Sequence, residues 1–357
     1  MKIVSHLAGV EGCAYFRIVL PGLAMRARGH EVAFTGDPED PRIADADVFV
    51  MQRQHNDIVL DIVEGWQAKG VQFMFEFDDN MHHLSPLNPA GAEYGNGKRA
   101  TRGFERFLSI ADGVTTTTPA LVEYYSRYRR DISMCPNGID DEIANRPIEI
   151  DGKPKVPGQI RIGFAGSNTH LNDLLTIRDD LVTLMREYRS LRFVTIGDPR
   201  LGQQLIPRAY WSQLEFVGIA KTRPEFSQKD PDPSLMGSVR YYDLLREACF
   251  DIGVAPLEHL FFNRCKSNLR LMELGVVGVP AIAERFGEYS VWPHDSVVLC
   301  RDKEWLPAMR RLIESSDERA RLAQANLAYV RANHVMSKKA DAWEKAFERT
   351  ANRSVAA

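Results

Sequence analysis

The chain has 357 residues, 44% of them hydrophobic and 26% charged, with a formal net charge of -3. That length exceeds what one hydrophobic core accommodates, so two domains are expected, and no apolar run reaches the roughly 20 residues needed to span a bilayer. The near-neutral balance gives no overall case for a nucleic-acid binder, although it leaves local basic patches open.

The first residues, Met1-Lys2-Ile3-Val4-Ser5-His6-Leu7, suit a buried strand better than an export signal. Cys13, Cys135, Cys249, Cys265 and Cys300 show no CxxC spacing, which fits reduced thiols, a cytoplasmic location and no structural metal. Helical periods over 18–28 and 58–69 alternate with the β-rich runs Glu31-Val32-Ala33-Phe34, 47–51 and 72–77. The pattern continues through 104–111, Gly113-Val114-Thr115-Thr116-Thr117 and 119–128, and closes at Ser133-Met134-Cys135-Pro136-Asn137-Gly138. Strand and helix alternating with short turns imply βαβ units and a parallel sheet.

Residues 141–158 are polar and carry Pro147, Pro154 and Pro157, as a linker does. A second series follows, with strands at Ile160 to Gly166, Arg192 to Gly197, Leu214 to Gly218, Asp251 to Ala255 and Pro280 to Ala283, and helices over 173–188, 241–248 and 269–275. The charged, periodic stretches 305–313, 316–333 and 338–350 read as surface helices. The expected fold class is therefore α/β, two Rossmann-like domains facing across a cleft. They span 1–150 and 151–335, with 336–357 a terminal helix placed to return to the first domain.

The most informative run is Asp251-Ile252-Gly253-Val254-Ala255-Pro256-Leu257, followed by Phe262-Asn263-Arg264-Cys265-Lys266-Ser267-Asn268-Leu269-Arg270-Leu271-Met272-Glu273-Leu274-Gly275. It reads as a strand, a polar loop, and a helix whose first turn carries Lys266, Ser267 and Asn268. Free N–H groups, the positive helix end and a neighbouring lysine suit a diphosphate, and ligands collect at strand C-termini in open α/β sheets. Glu273, two turns on, is either a solvated helical acid or a carboxylate accepting from two ribose hydroxyls.

This run resembles the donor signature of retaining glycosyltransferases of the large family-four (group 1) type, which have the GT-B architecture. The resemblance extends to Cys135-Pro136-Asn137-Gly138-Ile139-Asp140, to Ile162-Gly163-Phe164-Ala165-Gly166-Ser167, and to Gly12-Cys13-Ala14-Tyr15-Phe16-Arg17. It implies an acceptor-side first domain and a second domain that binds a nucleoside-diphosphate sugar, expected to be a UDP-sugar, with no other cofactor. Lys266 would meet donor phosphate and Glu273 the ribose. Gly12, Arg17, Gly166, Ser167, Asn263, Ser267 and Asn268 complete the expected donor site. Transfer with retention and without a metal would then rest on positioning and on stabilising the leaving diphosphate.

Two departures stand out. Cys265 occupies the position of the first of the family's paired glutamates, and Ser167-Asn168-Thr169-His170-Leu171-Asn172-Asp173 stands where many members place an arginine and a lysine. Lys266 would carry more of the diphosphate charge, helped by Arg264 or Arg270.

In the first half, Glu76-Phe77-Asp78-Asp79-Asn80-Met81-His82-His83 clusters carboxylates and histidines after a strand. Metal binding, acid–base chemistry and a plain Asp-rich turn all fit such a run. The expectation here is no metal, Asp78, Asp79 and His82 lining the acceptor side, and Asp79 and His82 joining Lys266 in catalysis. Lys98, Arg99 and Arg102, with Arg106, Arg127, Arg129 and Arg130, form either a solvated helix face or a contact for an anionic acceptor. Acceptors in view are a carbohydrate, a lipid carrier, or DNA with a flipped hydroxylated base. From other classes, a nucleotide-sugar epimerase and a non-catalytic nucleotide-sugar binder remain open.

Overall fold

The computed structural model describes all residues except 8, 10, 11, 85–87, 149–155, 157, 228–230, 356 and 357. Among the described residues, twelve strands form two six-stranded sheets, every pairing parallel. The first holds β1 (Lys2–His6), β2 (Glu31–Thr35), β3 (Val48–Gln52), β4 (Gln72–Glu76), β5 (Gly113–Thr116) and β6 (Ile132–Met134), in the order β2-β1-β3-β4-β5-β6. The second holds β7 (Ile160–Gly166), β8 (Leu191–Gly197), β9 (Leu214–Gly218), β10 (Ile252–Ala255), β11 (Ala281–Glu284) and β12 (Val298–Cys300), in the order β12-β11-β10-β7-β8-β9. All five residues of β3 are buried, as a strand covered by helices on both faces requires. The strand order reverses at β1/β3 in one sheet and at β7/β10 in the other, and each reversal opens a crevice at the strand C-termini.

Several elements depart from the sequence pattern. Residues 18–28 do not form one helix: a π-helical segment Tyr15–Val19 runs into the α-helix Leu20–Ala27. The helix expected over 173–188 breaks into Leu171–Leu175 and Arg178–Glu187. At the break, the Thr176 hydroxyl donates to the Asp173 carbonyl at 2.6 Å and competes with the backbone ladder. Within the stretch expected to be irregular, Asp141–Asn145 is helical, nucleated by Asp140, whose carboxylate accepts from Glu142 N at 2.8 Å. Pro154 and Pro157 lie outside the described residues.

The last helix, Met336–Ala351, is not a surface helix. It crosses back to the first sheet and buries Trp343, Phe347 and Thr350 against β3 to β6. Its entry is pinned by a short parallel bridge in which Ile139 N donates to His334 O and Met336 N to Ile139 O, both at 2.7 Å. Gly138 permits that contact, because a Cβ there would stand 2.8 Å from Met336 Cα. Among the described residues, no helix is long and apolar enough to cross a membrane.

Candidate functional site

The two crevices face each other, and between them lies a cavity of about 670 Å³ lined from both sheets. Gly12 and Phe16 come from the segment after β1, while Gly166, Ser167, Asn168, Asp198, Tyr241, Arg270 and Glu273 come from the second domain. Gly166 and Gly197 end neighbouring strands in close contact: a Cβ on Gly197, whose φ is +112°, would fall 2.3 Å from Gly166 O. Glycine there leaves the cavity floor as bare backbone.

The cavity wall is a charged cluster on the helix Leu269–Val276. Glu273 is buried and accepts from Arg270 NH1 at 2.9 Å and from the Tyr241 hydroxyl at 3.2 Å, and Arg270 NH1 also donates to the Tyr241 oxygen at 2.6 Å. Burial raises the Glu273 carboxyl, with the Arg270 guanidinium opposing the rise. Glu273 is therefore not a solvated helical acid: its carboxylate is built into the cavity wall. Arg270, raised only as a possible helper in the sequence, and Tyr241, which carries no motif, share that wall.

Lys266 lines a separate small recess, where its Nζ stands 3.3 Å from Asp79 Oδ1 of the first domain and 4.4 Å from the centre of the Phe262 ring. Arg53, just past β3 with a left-handed φ of 47°, brings its guanidinium within 3.6 Å of Asp78 and 3.7 Å of Asp79. Burial alone would raise the Asp79 carboxyl, but Lys266 and Arg53 outweigh it and hold it below the usual range. The first domain also grips the loop before the helix. Thr118 Oγ1 donates to Cys265 O at 2.9 Å, and Asn137 Nδ2 donates to Ser267 Oγ at 2.9 Å.

This architecture recurs in solved structures. HepE from Anabaena in complex with UDP and glucose superposes with a TM-score of 0.64 and 14% identity, covering 96% of this chain and 97% of that one. Sucrose-phosphate synthase from Thermosynechococcus elongatus gives 0.62 and 15%, covering 97% and 98%, and a glycosyltransferase from Rickettsia africae gives 0.61 and 11%, covering 99% of both chains. The chain has the GT-B fold. No protein-family model matches the sequence, and no curated protein matches it.

In the GT-B cleft, several expected site residues sit elsewhere. Arg17, expected to bind donor, is 1% exposed and walled in: Nε meets Glu76 Oε1 at 2.6 Å, NH1 meets Cys135 O at 2.6 Å and Asn137 Oδ1 at 3.0 Å, and the guanidinium lies over Trp343. Placing it in the interior leaves it no surface for a ligand. His82, expected on the acceptor side and in catalysis, is likewise buried, its Nδ1 3.1 Å from the Tyr125 hydroxyl and its Nε2 2.8 Å from Glu105 and 3.1 Å from the Tyr128 hydroxyl. Both ring nitrogens are engaged within the first domain.

Lys98 and Arg102 donate to backbone carbonyls of their own loop, Gly91 and Gly97 among them, and Arg99 pairs with Asp57 at 3.2 Å on the surface. None of the three lines the GT-B cavity. Arg264 points away as well, 3.5 Å from Glu123. Asn263 is buried and spends its amide on Asp173 Oδ1 at 2.7 Å and Glu258 O at 2.9 Å, so it shapes the loop. Asn268 occupies the N-cap position without a side-chain capping bond. Among the described residues, no group of three or more His, Cys, Asp or Glu could hold a metal ion.

Proposed function

We propose that this protein is a glycosyltransferase that binds a nucleoside-diphosphate sugar, a UDP-sugar, in the second-domain half of the cleft and transfers the sugar to a hydroxyl acceptor with retention. The observation that carries this reading is the polar wall of Arg270, Glu273 and Tyr241 beside the Lys266–Asp79 contact, set at a strand-order reversal. Such a crevice is where α/β sheets bind nucleotides. Glu273 would accept from ribose hydroxyls, while Lys266, Arg270 and the first turn of the helix Leu269–Val276 would face the diphosphate. The bound UDP and glucose of the Anabaena structure support a donor of this class.

A leaving diphosphate gains negative charge as the glycosidic bond breaks, and fixed cations in a partly dry cleft stabilise that charge more strongly than water does. With retention, a donor phosphate oxygen takes the acceptor proton from the same face, and the protein contributes alignment. Asp78 and Asp79 form the acceptor-facing edge.

The test is a thermal-shift and calorimetric panel of UDP, GDP, ADP and TDP, then release of free diphosphate from the matching sugar donors. A selective midpoint rise with UDP, followed by UDP release and an unchanged anomeric configuration in the product, is expected. No shift with any diphosphate would overturn the donor site and the transferase reading with it.

A further inference from the structure

His170 ends the turn that follows β7. Its Nδ1 lies 2.9 Å from Asp173 Oδ2. Asp173 is buried and fixed in turn, its Oδ1 accepting from Glu258 N at 2.9 Å and Asn263 Nδ2 at 2.7 Å. A carboxylate held this way accepts the Nδ1 proton and leaves the lone pair on Nε2. No hydrogen bond engages Nε2 among the described residues. The ring packs edge-on against Phe164, and it shares a small recess with Lys266, Asn263 and Asn88.

Charges face this ring from each element around it. Asp173 comes from the helix Leu171–Leu175, Lys266 and Arg270 from the loop and helix after β10, Glu258 from the same loop, and Asp79 from the first domain. Burial is the largest influence and, with Lys266 and Arg270, holds the imidazole below its ordinary range against the pull of Asp173. In the ligand-free protein at neutral pH the ring is therefore uncharged. An anion entering beside it reverses that balance, because the imidazolium then has Asp173 on one side and phosphate on the other.

We infer that His170 is a ligand of the donor diphosphate and takes up a solvent proton on Nε2 as the anion binds. This supplies a positive donor to a loop whose sequence has neither arginine nor lysine. The step forms one N–H bond and breaks none in the donor. It rests on the donor-site reading above and deepens it. Asp173 acts through His170 as a positioning residue.

Calorimetry of UDP binding at pH 7.5 in two buffers of different ionisation enthalpy counts the protons exchanged. Net uptake of about half to one proton is expected for the unmutated protein, and none for His170→Gln, with UDP affinity about 10-fold lower in the variant. Raising the pH to 9 should weaken binding by the unmutated protein toward the variant's level while leaving the variant nearly unchanged. The terminal phosphate of UDP, with a second pKa of about 6, is already ionised across this window. UDP binding without proton uptake, or with the same uptake in His170→Gln, overturns the inference and leaves the donor site standing. Absence of UDP binding overturns both. Should that variant fail to fold, His170→Asn takes its place in the same buffer comparison, and the same two outcomes decide.

Discussion

Lys266 and Asp79 form an ion pair of 3.3 Å between residues 187 positions apart, one from each domain. An anion seated at Lys266 competes with that carboxylate. Lys266→Ala should weaken UDP binding about 10- to 100-fold, the worth of one or two charge-assisted hydrogen bonds. Asp79→Asn should tighten UDP binding severalfold while slowing sugar transfer. Titration calorimetry with UDP, beside UDP release from the sugar donor, separates the two. A loss of affinity in Asp79→Asn as large as that in Lys266→Ala would mean that the carboxylate supports the nucleotide.

Glu273 is held by Arg270 and Tyr241 within the cavity wall. If Glu273 accepts from the ribose as proposed, Glu273→Ala should abolish the UDP-dependent midpoint rise and lower affinity by at least about 10-fold. Tyr241→Phe, which keeps the ring and the Arg270–Glu273 pair, should retain most of the shift. A full shift in Glu273→Ala, read by scanning fluorimetry across a UDP series, would remove the carboxylate from the site.

Arg17 and Glu76 form a fully buried pair. Arg17→Leu strands a carboxyl in the core and should cost about 3 to 5 kcal/mol in urea denaturation, whereas Arg17→Leu with Glu76→Leu should recover most of that loss. UDP affinity of the folded fraction should be unchanged in the double variant. Unchanged stability with lost affinity would return Arg17 to the donor site.

Acid should destabilise the protein through two buried histidines. Burial lowers His6 and His334 to about 4 from an ordinary 6.5, and among the described residues neither His334 nitrogen has a hydrogen-bond partner. Between pH 6.5 and 4 the unfolded chain binds protons that the native state refuses, so stability is complete above 6.5 and falls as pH drops toward 4. Each site contributes at most about 3 kcal/mol, at 1.36 kcal/mol per pKa unit. Denaturation midpoints from pH 7.5 to 4.5 should fall less in His334→Phe, which keeps the stack on Trp292 and cannot ionise.

The strand-helix alternation and the Lys266-to-Glu273 run were legible because each rests on local chemistry: periodicity, a glycine, a helix start. Arg17 and His82 were misplaced for one reason. Their partners Glu76, Asn137, Glu105 and Tyr128 lie 23 to 120 residues away, and polar residues in a row do not reveal whether they face a cleft or one another. Arg53 and Tyr241 gave no signal, since a lone arginine after a strand and a tyrosine in a helix are ordinary. The departure of Ser167 to Asp173 from the family pattern was visible, but the pairing of His170 with Asp173 needed the helical turn between them.

The helix Met336–Ala351, which carries Trp343 and Phe347 into the first core, has a consequence for synthesis. Chains emerge from the ribosome N-terminus first, and domains generally fold as units in that order. Here the first sheet is made early, but the surface that Trp343 covers waits for a helix made after all of the second domain. The second domain can therefore close before the first, and the earliest-made half of the molecule is the last to be finished.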